Sequence, residues 1–148
     1  MKYMLLIYDN AGTRELFSGP EGKALSEEID TLMAELTASG ELAGGEALAD
    51  PAQTRSIRPR HGAPVVTDGP LAEAKEHFGG YLIVDCESIE RATEIALRWP
   101  NARFAAMEAR PIMNAAPNRP KMAPDAPAVL TSGESSSAPN APHSIEAK

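Results

Sequence analysis

The chain has 148 residues, 43% of them hydrophobic and 24% charged, and a formal net charge of −7. That length suits one domain of ordinary size, and that hydrophobic content excludes wholesale disorder. Basic and acidic residues balance in the last 35 positions, so the whole −7 falls on residues 1–113, which excludes phosphate backbones and anionic membrane surfaces as partners.

The first predicted element is a strand over Lys2 to Asp9. Tyr3, Leu5 and Ile7 point to one face, and Met4, Leu6 and Tyr8 to the other. Both faces are apolar, so both need cover, and a second sheet from a partner chain is the natural cover for one of them. Asp9 stops the apolar run short of a signal-peptide core, and no later stretch reaches the ~20 apolar residues of a membrane span.

Gly12, Gly19-Pro20 and Gly22 mark residues 10–23 as a loop. Leu25, Ile29, Leu32 and Leu36 then recur at helical spacing among glutamates, predicting a helix that Gly40 ends as a left-handed cap. Residues 42–48, LAGGEAL, read as a glycine-bearing connection.

A hairpin is predicted over Thr54–Arg58 and Pro64–Thr67, turning at residues 60–63. Asp68-Gly69-Pro70 is a sharp turn, and residues 72–77, AEAKEH, suit one or two helical turns. Gly79-Gly80 lead into a strand over Tyr81–Asp85, apolar on both faces. The single cysteine, Cys86, excludes an internal disulfide and a thiolate metal site; it fits a reducing cytoplasm and reads as structural. Ser88 caps a second helix whose buried stripe is Ile89, Ala92, Ala96 and Trp99, stopped by Pro100. Residues 103–110 make the closing strand. With the hairpin counted as an addition, the order matches an α+β, ferredoxin-like β-α-β-β-α-β protomer.

From Asn114 the composition changes. The last 35 residues hold six of the 13 prolines, eight alanines and no aromatics, so residues 114–148 are expected to be a disordered Pro/Ala/Ser-rich tail.

The stretch VVTDGPLAEAKEHFGGYLIVD resembles the motif of the YCII-related, or DGPF-motif, family, whose usual form runs close to VTDGPFxExKExxGGxxLI. The opening MKYMLLIY, the segment LAGGEALADP and the closing ARFAAMEARPIM agree in order and spacing. The resemblance covers residues 1–113 and implies a homodimeric α/β barrel of ferredoxin-like protomers. It also implies two lines of function. Some relatives have been proposed as enzymes in which a His and an Asp meet in a cleft; others are encoded beside extracytoplasmic-function sigma factors, which implies a regulatory role. This chain departs from the pattern at Leu71, where the family has Phe. It also has no histidine in LFSGPEGKALSEEIDTL, where the enzymatic relatives carry theirs.

The candidate site residues follow from strand ends and turns. Asp68 is a cleft carboxylate able to act as base or ligand anchor, against a plain turn-shaping role. His77 is the candidate to stand in for the missing dyad histidine. Tyr8 at the end of the first strand and Lys75 are candidate ligand contacts, the latter for an anionic group. Glu73, Lys75 and Glu76 otherwise read as a solvated face. The histidines lack metal-ligand spacing and the glycine pairs lack phosphate-loop context, so no metal and no cofactor are expected. The leading expectation is a homodimer with a cleft for a small organic molecule, a cofactor-free enzyme. The other is a regulatory or adaptor protein that binds a protein partner.

Overall fold

A computed structural model describes residues 1–71 and 74–113; the expected tail and Glu73 lie outside the described residues. The elements are β1 (Lys2–Asp9), α1 (Ala11–Ser18), α2 (Gly22–Ser39), β2 (Leu42–Ala47), β3 (Arg55–Arg60), β4 (Ala63–Asp68), β5 (His77–Asp85), α3 (Ile89–Arg98) and β6 (Met107–Pro111). Four strands form one antiparallel sheet in the order β2-β5-β1-β6, and β3 and β4 pair separately as a hairpin. This is the α+β, ferredoxin-like arrangement with an added hairpin.

The second strand of that arrangement is the segment expected to be a connection. Glycines signal turns in a sequence, but here they let β2 lie against β5. A Cβ at Gly45 would come within 2.7 Å of the Tyr81 carbonyl oxygen. Gly44, at φ 155°, sits where the β2–β5 register shifts, a bulge that glycine accommodates. The second correction is α1, which occupies the predicted loop. Asn10 Oδ1 accepts from the Thr13 amide at 2.9 Å while Thr13 Oγ1 accepts from the Asn10 amide at 2.8 Å. This reciprocal capping box starts a helix despite Gly12.

Helix α2 ends as expected, with Gly40 at φ 76°, and the Ser88 side chain caps α3. The buried stripe of α3 is Ala92, Ile95, Ala96 and Trp99; Ile89 is exposed, one turn too early to reach the core. Residues 74–76 are not helical, and His77 already belongs to β5. Extended pairing with β1 from Lys2↔Asp85 to Asp9↔His77 claims those residues for the sheet. A short 3-10 turn, Pro100–Arg103, precedes β6, which therefore begins at Met107.

The core lies on one sheet face. Tyr3, Leu5, Ile7, Leu82 and Val84 pack under Leu32 and Leu36 of α2 and Ala92 and Ile95 of α3. On the opposite face Met4, Leu6, Tyr8, Tyr81 and Ile83 are only half-buried. No helix among the described residues is long and apolar enough to cross a membrane.

Outside the core, three ion pairs clasp the region around α3 to that around α2: Arg91–Glu41 at 2.8 Å, Arg98–Glu35 at 2.5 Å and Arg103–Glu28 at 2.9 Å. Glu41 receives two guanidinium hydrogen bonds, which hold its carboxyl pKa down to about 2 from an ordinary 4.5. Its contribution to stability is therefore complete above pH 4.5 and is lost as pH falls from there through about 2. Glu41→Gln is expected to lower the melting temperature at neutral pH by a few degrees and to converge with the wild type in strong acid. Melting curves that stay parallel across that pH range would show that the pair carries none of the acid sensitivity.

Candidate functional site

Two of the predicted site residues, Asp68 and Lys75, lie outside the four-stranded sheet. Asp68 ends β4 with its side chain 95% exposed, and Arg55 Nε lies 3.7 Å from its carboxylate. The Asp-Gly-Pro turn is latched to β3. Gly69, at φ 88°, donates its amide to the Thr54 carbonyl at 2.7 Å, and Ser56 Oγ donates to the Gly69 carbonyl at 2.6 Å. Lys75 is exposed. Neither Asp68 nor Lys75 lines the grooves beside Asp9.

Tyr8 and His77 sit at the shared end of β1 and β5. The Tyr8 ring meets Phe78 edge-on at 6.0 Å, and its hydroxyl lies 3.5 Å from Glu108. His77 is the cross-strand partner of Asp9, and the two line a groove of about 220 Å³ together with Arg14. No hydrogen bond or ion pair joins His77 to Asp9 among the described residues. The structure sets His77 opposite Asp9.

His77 also lines a cleft of about 680 Å³ with Arg55, Ser56 and Leu71, whereas Asp9 stands in the wall of a separate cleft. Alternation along β1 sends Ile7 to the helix side, and the β1–β5 register shifts between Ile7 and Tyr8. At that irregularity Gly79 faces the Asp9 carboxylate so closely that any Cβ there would overlap it. Gly80 clears the backbone of β2, where a Cβ would come within 2.7 Å of the Glu46 carbonyl oxygen. The Gly79-Gly80 pair thus admits a carboxylate on one side and a neighbouring strand on the other.

Asn101, in the turn after α3, is 3% exposed and donates through Nδ2 to Asp9 Oδ1 at 2.8 Å and to the Tyr8 carbonyl at 3.4 Å. Burial pushes the Asp9 carboxyl pKa up; the Asn101 hydrogen bond and the positive charge of Arg14 oppose this and do not cancel it. A carboxyl so balanced can exchange a proton nearer neutrality than an exposed aspartate. Asp9, Asn101 and Arg14 stand on the wall of a cleft of about 510 Å³, whose apolar lining includes Ile7, Phe17, Met33, Leu82 and Trp99. That volume and that mix of many apolar and few polar groups suit a small organic ligand. Among the described residues no three His, Cys, Asp or Glu side chains converge as metal ligands.

Sequence reasoning placed Asp9 at a strand end where such barrels open their clefts, preferred a loop-starting role for it, and passed over Asn101 and Arg14. The available signal was an acidic residue closing a two-faced apolar strand in a chain that also carries Gly79-Gly80. The contact itself spans 92 positions. Because Gly79 exists to clear Asp9, Gly79→Ala is expected to cost about 1–3 kcal/mol, the usual scale of overpacking. Adding Asp9→Ala should recover much of that loss in a double-mutant cycle of thermal or denaturant unfolding. Additive costs would mean that Gly79 and the carboxylate are not coupled.

Among curated proteins, the chain is similar to an uncharacterized protein of Rhizobium meliloti (strain 1021), with 26% identity over 114 residues, 76% of this chain and 92% of that one. Residues 1–116 match the YCII-related domain, most of the chain and all of the described fold, and so the chain belongs to the YCII-related domain family.

Proposed function

We propose that the chain acts as a homodimer with a small-molecule cleft on each protomer, and that Asp9 is the group that anchors the ligand and exchanges a proton with it, without a cofactor. The observation that carries this reading is the Asp9 carboxylate, drawn into the wall of an apolar cleft of about 510 Å³ and held there by the amide of the buried Asn101. A half-buried carboxylate with one neutral partner carries a desolvation cost, and such costs concentrate where chemistry or binding offsets them. The homodimer is supported by the second face of the sheet. Five apolar or aromatic side chains there, Met4, Leu6, Tyr8, Tyr81 and Ile83, are half-covered within one protomer. Burial is worth roughly 25 cal/mol per Å² of apolar surface, so a second sheet packed on this face would stabilise both copies.

The Asp-Gly-Pro segment supports a different reading, a regulatory or adaptor role toward a protein partner. The hairpin presents Ile57 and Val66, 65% and 59% exposed, beside Arg55, Arg58 and Arg60 in an otherwise acidic chain. Exposed apolar side chains of this kind, grouped with one sign of charge, suit a protein surface. Under that reading Asp68 and Lys75 contribute to the same exposed face.

Two measurements test the main reading. Light scattering at micromolar concentration should report twice the chain mass; a stable monomer would refute the dimer. A thermal-shift screen of small acids, amines and carbonyl compounds should find ligands that raise the wild-type midpoint, as binding to the native state requires. Asp9→Asn keeps the shape and the Asn101 contact, so its own midpoint should hold or rise. Its ligand affinity should fall roughly tenfold or more, the scale of a charged hydrogen bond. Equal shifts in both proteins would remove Asp9 from the site.

A further inference from the structure

The polar atoms that face the cleft are unequal in kind, and the inequality constrains the ligand. Asn101 donates through Nδ2 to Asp9 Oδ1 at 2.8 Å and to the Tyr8 carbonyl at 3.4 Å. Turning the amide over would set its oxygen against a carboxylate and a carbonyl, so its neighbours fix the orientation. Among the described residues Asn101 Oδ1 has no donor, in a residue 3% exposed that lines the cleft. Among the described residues no fully enclosed side-chain polar atom lacks a partner, so this oxygen is not fully enclosed, and its residue lines the cleft. Among the described residues Asp9 accepts one side-chain hydrogen bond, from Asn101 to Oδ1, and none reaches Oδ2, which lies beside Gly79. Two neighbouring acceptors thus stand in the cleft wall without donors.

The charges have the same bias. Asp9, Asp30 and Glu46 line the cleft against one cation, Arg14, and the whole chain carries −7. Arg14 has no carboxylate within ion-pair distance among the described residues, and it is exposed at the rim. Below the polar wall the lining is apolar, with Met33, Leu82 and Trp99. A ligand with a carboxylate head would meet two acceptors and a negative field. A hydroxyl head would satisfy one acceptor. An ammonium head brings three donors and the compensating charge.

We infer that the cleft takes small apolar amines, bound as their ammonium ions between the Asp9 carboxylate and Asn101 Oδ1, with the apolar body against Met33, Leu82 and Trp99. This rests on the small-molecule reading of the cleft and adds the class of ligand.

Three probes of one shape separate the classes: 2-phenylethylamine, 2-phenylethanol and 3-phenylpropionate, titrated into the full chain at neutral pH by calorimetry and by NMR of the Asn101 side-chain amide. The amine should bind roughly tenfold or more tighter than the other two, on the scale of a charged hydrogen bond, and should move the Asn101 amide resonances. Asp9→Asn should remove that preference. Should Asp9→Asn fold poorly, the Asn101 resonances of the wild type still locate the binding. Preference for the carboxylate or the alcohol, with those resonances moving, would overturn the amine assignment and keep the cleft. Amine binding that leaves the Asn101 resonances unmoved would overturn the assignment to this site. No binding of any probe would count against both the inference and the small-molecule reading beneath it.

Discussion

The antiparallel pairing of β1 with β5 is the interaction on which the rest of the domain depends. It joins residues about 70 to 80 positions apart and makes the centre of the four-stranded sheet, with β6 on the free edge of β1 and β2 on that of β5. Its side-chain alternation decides which residues meet the helices: Tyr3 stands opposite Val84, Leu5 opposite Leu82 and Ile7 opposite Gly80. A slip of one residue would exchange this buried set for Met4, Leu6 and Tyr8. Where the pairing loses regularity, at Ile7 and Tyr8, space opens beside Gly79 and the Asp9 carboxylate enters it. The candidate site is thus a product of the same strand pair that organises the core.

Two carboxylates in this domain illustrate how the identity of a partner sets the behaviour of an acid. Glu41 faces the Arg91 guanidinium through two hydrogen bonds, and its pKa falls to about 2. It is locked in its charged form and acts as a clasp between helices. Asp9 is held by a neutral amide, with its cation, Arg14, at a distance, and burial raises its pKa. A neutral partner orients a carboxylate without neutralising it, and an unneutralised carboxylate retains an affinity for whatever enters the cleft.

Much of the architecture was legible in the chain because its signals are local. The Leu25–Leu36 spacing, Gly40 after it, Ser88 before the second helix and the residues flanking His61-Gly62 in the hairpin each act within a few positions. The features that sequence reasoning missed depend on distant neighbours. Gly44 and Gly45 look like turn residues, and only the close approach of β5 makes them strand residues. The α1 cap was readable in principle from Asn10 and Thr13, but three nearby glycines and a proline outweighed it. Asp68 drew attention because its motif is compact, whereas Asp9 and Asn101 carry no motif and meet across 92 positions. Local chemistry marks turns and caps; a cleft is assembled from parts that have no reason to be near one another in the sequence.

The position of β1 in the chain has a consequence for synthesis. A ribosome makes this strand well before its two sheet partners, which span His77–Asp85 and Met107–Pro111. At translation rates on the order of 5–20 residues per second, the nascent chain carries an apolar segment with two sticky faces for several seconds before its first partner exists. The hairpin of β3 and β4 closes meanwhile, from neighbours in sequence, but it belongs to a different sheet and cannot shelter β1. Folding of this domain is therefore a late, collective event, and the early strand is its natural point of exposure to chaperones and to premature association between nascent chains.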